Sequence, residues 1–163
     1  MDTSSFPDGA ASCDGSVGTL MPDLRLVRPD ASETSLHDVV GGVPALVYFM
    51  RTSTCPVCHG HLRALTRLAE SGAFGGTRVV VVTPGGADEA AEVVRRAPSP
   101  DFVVVASSDG HAEVGLGVFL TLQHSGTFLL DSAGVVTYRR SAAVPLRSFD
   151  EREVLDRVAP IGR

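Results

Sequence analysis

The chain has no lysine and no tryptophan, and aromatic residues fill only 6% of its 163 positions. All 14 basic residues are arginine. That skew accompanies abundant Ala, Gly, Val and Asp, and it reads as compositional bias rather than as a binding surface. There is no arginine-rich run and the formal net charge is -5. Both argue against phosphate-backbone binding, which depends on clustered cations releasing counterions, so nucleic acid is not an expected partner. Long apolar runs are also missing. The longest, Pro44 to Met50, falls far short of the roughly 20 residues that cross a bilayer. The opening Met1-Asp2-Thr3-Ser4-Ser5-Phe6-Pro7-Asp8 has neither the positive start nor the apolar middle of a secretory signal. The same lack removes the lipoprotein reading of Ala10-Ala11-Ser12-Cys13. A cytoplasmic protein without membrane contact is the expectation. Cysteine is scarce too: there are three, of which Cys55 and Cys58 form a C-x-x-C pair. That is too few for a disulfide scaffold, and in a reducing compartment such a pair serves redox chemistry or metal binding.

An apolar content of 44% is enough for one hydrophobic core, and the length leaves no room for two comfortable domains. Residues 1–17, rich in Ser, Gly, Asp and Ala, lack the anchors that offset ordering entropy and predict a mobile tail carrying Cys13. The folded domain then spans residues 18–163. Leu24 to Arg28 alternates as an edge strand does, Pro29-Asp30 turns, and Thr34 or Ser35 caps a short helix over Leu36 to Val40. Pro44 to Met50, Arg78 to Thr83, Phe102 to Ala106 and Thr127 to Leu130 are short, apolar throughout and β-branched or aromatic, as strands covered on both faces are. A helix from Cys55 to about Glu70 repeats apolar residues at Cys58, Leu62, Leu65 and Ala69. A second runs from Ala87 to Arg96, and Pro98 and Pro100 close it. Thr127 to Asp131 and Val135 to Arg139 make a hairpin across Ser132-Ala133-Gly134. Ser148 and Glu151 are spaced as a capping box for a last helix reaching Val158. Between Ser107 and Gly126 only a short helix near His111 to Gly115 is legible. The order of elements requires an α/β sandwich with crossover helices.

The chemistry gathers at Cys55-Pro56-Val57-Cys58. A thiol reacts as its thiolate and is ordinarily mostly protonated at neutral pH. Cys55 stands where a buried strand passes, through Arg51-Thr52-Ser53-Thr54, into a helix with Pro56 at its first position. The unpaired N–H groups at a helix start, together with the nearby Arg51, favour an anion there. Cys58 follows one turn later, in range to attack an oxidised Cys55 sulfur. Two reactions fit: peroxide reduction through a sulfenic acid, or exchange with a protein disulfide.

Other readings compete. Cys55-Pro56-Val57-Cys58-His59 matches the c-type haem attachment pattern, which needs export and an axial partner. Cys55, Cys58, His59 and His61 are ligand types, yet four ligands within seven residues of one helix do not readily surround a tetrahedral zinc. No cofactor or metal is therefore expected. His59 and His61 are expected at the solvent or a pocket rim, with His37, His111 and His124 in structural or exposed roles. Arg51 either charges the cysteine loop or pairs with a surface carboxylate. Cys13 reads as an idle thiol.

The stretch Tyr48-Phe49-Met50-Arg51-Thr52-Ser53-Thr54-Cys55-Pro56-Val57-Cys58 resembles the active-site segment of the peroxiredoxin-like branch of the alkyl hydroperoxide reductase and thiol-specific antioxidant family. Met21-Pro22-Asp23-Leu24 with Ser35 to Gly42, and Gly126 to Gly134, resemble its opening strand and its penultimate hairpin, so the likeness covers about residues 18 to 158. The resemblance implies a thioredoxin-like three-layer sandwich with a mixed central sheet and helices on both faces. It also implies Cys55 as the peroxidatic cysteine, Cys58 as the resolving one, Thr52 as the hydroxyl that positions peroxide, and a thiol electron donor such as a thioredoxin. A homodimer is left open. The chain departs from the family pattern at Tyr48, where proline is typical, and at Ser125, where arginine is typical; Arg51 is a candidate substitute cation, beside the alternative that it pairs with a surface carboxylate. A thioredoxin-like disulfide oxidoreductase and a non-enzymatic redox-sensing or binding module remain the competing functions.

Overall fold

The computed structural model describes residues 15–96, 98–119, 122–142 and 145–161. The expected tail up to residue 14, with Cys13, lies outside them. Residues 15–17 of the predicted mobile tail are described and are held to the domain instead, since the Gly15 carbonyl accepts from Arg139 Nη1 and the adjoining Gly18 N–H donates to the Val136 carbonyl.

Strand β1 (Arg25–Val27) pairs antiparallel with β2 (Glu33–Ser35), after which Ser35 caps α1 (Leu36–Val40) by accepting the Asp38 N–H. Gly41 ends that helix in the left-handed region at φ 66, a conformation that an added Cβ would strain. Two β-α-β crossovers follow: β3 (Ala45–Phe49), α2 (Pro56–Glu70), β4 (Arg78–Pro84), α3 (Ala87–Arg95) and β5 (Val103–Ser107). A short α4 (Gly110–Glu113) precedes β6 (Val118–Phe119) and β7 (Leu122–Gln123), which pair with each other in a separate two-stranded sheet. The hairpin β8 (Ser125–Leu130) and β9 (Val136–Ala142), a 3-10 turn at Pro145–Arg147 and α5 (Glu151–Ile161) complete the chain.

The sheet runs β2-β1-β5-β4-β3-β8-β9. Its centre, β5-β4-β3, is parallel, and the outer pairs are antiparallel. This is the expected mixed α/β sandwich. Two details differ from the sequence reading. The segment around Leu26 is not the edge, because β2, too short and polar to announce itself, pairs outside it. The last helix is not capped by Ser148: Asp150 Oδ1 accepts the Glu153 N–H, and Ser148 is drawn into the interior, where its carbonyl accepts the Thr127 hydroxyl.

Strand alternation on β3 divides the interior. Leu46, Tyr48 and Met50 join α2, α3 and α5 on one face, with Leu62, Leu65 and Leu68 of α2 filling the space. Ala45, Val47 and Phe49 join α1, Phe128 and Val114 on the other. Each fully buried leucine contributes about 1.5–3 kcal/mol, which anchors α2 firmly against the strand that leads into it.

Candidate active site

β3 ends at Phe49, and the next peptide stays in register, with the Met50 N–H donating to the Val82 carbonyl at 2.9 Å. The chain then leaves the sheet through Arg51 to Thr54. Cys55 occupies the N-cap of α2 with extended backbone, φ -62 and ψ 115, and Pro56 takes the first helical position. Proline fits there because that turn has no partner for its N–H. Two side chains hold the loop. His111 Nε2 donates to the Met50 carbonyl at 2.7 Å, and His59 Nε2 donates to the Ser53 carbonyl at 2.7 Å.

Within this frame the sulfurs act as caps. Cys55 Sγ accepts the Cys58 N–H at 3.4 Å, as an N-cap oxygen would, and Cys58 Sγ accepts the Arg51 N–H at 3.4 Å. Exposure separates the two thiols: Cys55 keeps 8% of its surface and Cys58 none. Burial, reinforced by the neighbouring Cys55, pushes the Cys58 thiol up to about 12. The buried thiol is therefore a proton carrier at neutral pH, and the sulfur at the helix start is the one an incoming molecule meets first.

Arg51 and Thr52 flank this pair, both half-buried. Arg51 forms no ion pair among the described residues, and its Nε is buried without a hydrogen-bond partner there. A surface carboxylate pair for Arg51 is thus not what the structure shows. The Thr52 carbonyl accepts the Cys55 N–H at 3.4 Å, while its side chain is not engaged among the described residues. Ser125, at the position typical of arginine, lies one residue beyond the Phe49–Gly126 pair of β3 and β8. It is fully buried, and its hydroxyl has no partner among the described residues.

Tyr48 and His61 were legible only in part. Tyr48 is fully buried on β3 beneath α2, its hydroxyl lies 2.6 Å from His61 Nδ1, and the Cys58 and Ser148 side chains lie near enough to perturb it. Burial raises the phenol well above its ordinary range, with the Cys58 thiol adding to the effect. His61 is half-buried and desolvation pushes it down to about 4. The expectation that His61 faces solvent or a pocket rim is corrected in part: the residue stays half-exposed, while its Nδ1 side turns inward to Tyr48, edge-on with centroids 5.6 Å apart. His59 is corrected in part. It is buried, but it also borders a cavity with Arg63, Arg67 and Arg96. The signal for His61 was present, because it stands three residues after Cys58 on the same helix and so shares its face. Tyr48 stood out only as a departure from the family proline, and its polar contacts gave no signal, since one hydroxyl inside an apolar strand does not alter the pattern.

The sequence profile of the AhpC/TSA family matches residues 17–139. This chain belongs to the AhpC/TSA family. It is a thiol-dependent oxidoreductase of the peroxiredoxin-like kind, and solved structures place its fold among thioredoxin-fold peroxiredoxins. A thiol peroxidase from Chromobacterium violaceum superposes with a TM-score of 0.73 at 18% identity, covering 86% of this chain and 84% of that one. Reduced Prx3 from Vibrio vulnificus in complex with hydrogen peroxide gives 0.75 at 17%, covering 88% and 98%. The peroxidoxin BcpB from Mycobacterium tuberculosis gives 0.71 at 18%, covering 90% and 96%. None of the curated proteins compared matches the chain in sequence. Among the described residues no helix is long and apolar enough to cross a membrane.

Proposed function

We propose that this AhpC/TSA family member reduces hydrogen peroxide or an organic hydroperoxide with Cys55 as the peroxidatic thiol and Cys58 as the resolving one. The observation that carries the reading is the placing of the two thiols at the start of α2: the Cys55 sulfur, 8% exposed, accepts the Cys58 N–H, and Cys58 is sealed behind it. The Cys55 sulfur attacks one peroxide oxygen, the O–O bond breaks, and the departing oxygen leaves as water or an alcohol. Cys55 is left as a sulfenic acid. Cys58 then attacks the Cys55 sulfur, the S–O bond breaks, water leaves and a Cys55–Cys58 disulfide forms. A thiol donor such as a thioredoxin returns two electrons. The Thr52 hydroxyl and the unpaired Arg51 Nε are the donors available to orient the peroxide oxygens. A reducing compartment such as the cytoplasm suits a pair that must be re-reduced in each cycle.

Rapid mixing of the reduced chain with peroxide tests this. Cys55 sulfenate and then the Cys55–Cys58 disulfide form faster than free cysteine oxidises. Oxidation no faster than that of free cysteine contradicts the proposal. Ser125 in place of a family arginine favours one second reading, exchange with protein disulfides, because the site then offers fewer donors for a peroxide. Trapping of a partner on Cys55 in a Cys58→Ser variant, with inertness toward peroxide, selects it.

A further inference from the structure

The resolving thiol presents a problem that the family pattern does not address. Cys58 is fully buried and must lose its proton before it can attack, yet no solvent reaches it. A thiol cannot condense with a sulfenic acid or displace a mixed disulfide while it remains protonated. Something in contact with it must accept that proton.

We propose that Tyr48 and His61 form the proton exit of Cys58, the phenol taking the thiol proton as it passes its own to the imidazole, which opens toward solvent at the half-buried side of α2. The inference rests on the assignment of Cys58 as the resolving cysteine.

The geometry supplies each link. Tyr48 packs with Cys58 in the same buried cluster, close enough for phenol and thiol to perturb each other, and its hydroxyl stands 2.6 Å from His61 Nδ1. A phenol can accept one proton while releasing another, so it conducts without holding charge. Held neutral by desolvation, His61 carries one ring proton, and with Nδ1 bare it accepts from the phenol while its Nε2–H is the one released. The Ser148 side chain lies beside the same phenol and favours its ionised form. Ser148 is itself held by the Thr127 hydroxyl on its carbonyl at 2.8 Å. The rings of Tyr48, His61 and Phe149 pack mutually at centroid distances of 5.1–6.3 Å, which excludes water from the path.

The ionisable groups facing this path are few. α2 presents Cys55, Cys58 and His61. The segment ahead of α5 presents the Ser148 hydroxyl and the Phe149 ring, and the 3-10 turn that packs on α2 carries only the exposed Arg147. β8 contributes Thr127, and Arg51 reaches Cys58 through its backbone N–H alone. No carboxylate hydrogen-bonds Tyr48, Cys58 or His61 among the described residues. The phenol and imidazole are thus the proton acceptors the fold provides.

In the resolving step the Cys58 S–H proton leaves through Tyr48 to His61. The freed sulfur pair attacks Cys55 sulfur, and the S–S bond forms as the S–O bond breaks. The departing hydroxide takes up a proton to leave as water, so no further oxidant or reductant is needed.

The test separates the two steps. The full-length chain is mixed with hydrogen peroxide and quenched at intervals, and the Cys55 sulfenate and Cys55–Cys58 disulfide are counted by mass. In Tyr48→Phe, which keeps the ring and loses the oxygen, the sulfenate forms and accumulates. The disulfide follows about a hundredfold more slowly than in the unaltered chain, at a rate that climbs with pH as hydroxide replaces the phenol. His61→Gln, which can accept a hydrogen bond but cannot pass a proton on, slows the same step with the same steepened pH profile. A disulfide rate and pH profile unchanged in both variants overturns the proposal. So does a slowing in Tyr48→Phe whose pH profile stays that of the unaltered chain, since a packing defect alone would produce it. If the unaltered chain forms no sulfenate, the peroxidase reading fails on its own. The relay is then decided by loading Cys55 with 5,5′-dithiobis(2-nitrobenzoate) and timing displacement of the coloured thiolate by Cys58. Equal displacement rates in the unaltered chain and Tyr48→Phe contradict the relay.

Discussion

Strand β3 places an aromatic ring on each side of the sheet, and each ring meets a histidine edge-on. Tyr48 meets His61 with centroids 5.6 Å apart and planes at 86°, and Phe49 meets His111 at 5.1 Å and 83°. Desolvation pushes both imidazoles down to about 4. The two assemblies differ by one oxygen atom and by what lies next to it. On the Phe49 side the histidine spends its Nε2–H on the Met50 carbonyl, and the ring packs on Phe128 at 5.3 Å. The result is a brace for the strand end from which the cysteine loop departs. On the Tyr48 side the hydroxyl connects His61 to Cys58, so the same edge-on packing carries a polar path into an apolar interior. A buried aromatic–histidine pair is therefore scaffold or chemistry according to whether the ring offers an atom that exchanges protons with a reacting group.

Substitutions on the two sides break this comparison differently. The largest effect on stability is expected on the bracing side. Phe49→Ala removes a fully buried ring and lowers unfolding free energy by about 3–5 kcal/mol, whereas Tyr48→Phe keeps the volume and changes it by about 1 kcal/mol. Urea titration of both checks the contrast, and equal losses would erase it.

The histidines sharpen it through pH. His111 has a folded-state value of about 4 against 6.5 in the unfolded chain, so between these values the unfolded chain binds the extra proton more readily. The corresponding stability is fully present above pH 6.5 and is lost as pH falls toward 4, on the order of 3 kcal/mol for this buried group. His61, which is half-exposed, acts in the same direction and less strongly. His111→Gln is expected to flatten that fall in denaturant titrations from pH 7 to 4. A fall that persists undiminished would show that His111 does not carry it.

Much of this architecture could be read from residue patterns. The apolar runs give the central strands because strands covered on both faces have no polar side to show. The recurrence of Cys58, Leu62, Leu65 and Ala69 gives α2, and the proline after Cys55 marks its start. What escaped was set by long-range packing. β2 is three residues without a single aliphatic side chain, and it forms because β1 offers an open edge. Ser148 has the spacing of a cap but loses that place to Asp150, since Thr127 holds its backbone inside. The place of the cysteine pair, at the start of the helix that follows a buried strand, was visible in its spacing and in the proline after Cys55. The polar path behind Cys58 was not, because its members lie on three segments that only the folded sheet brings together.

Which sulfur meets the oxidant and which resolves it decides the chemistry of the site. The most direct measurement is peroxide treatment of the Cys58→Ser chain in the presence of dimedone, followed by mapping of the adduct, alongside disulfide mapping of the unaltered chain. A dimedone adduct on Cys55 and a Cys55–Cys58 disulfide are the expected results. An adduct on Cys13, or a disulfide that joins Cys55 to any sulfur other than Cys58, would contradict them.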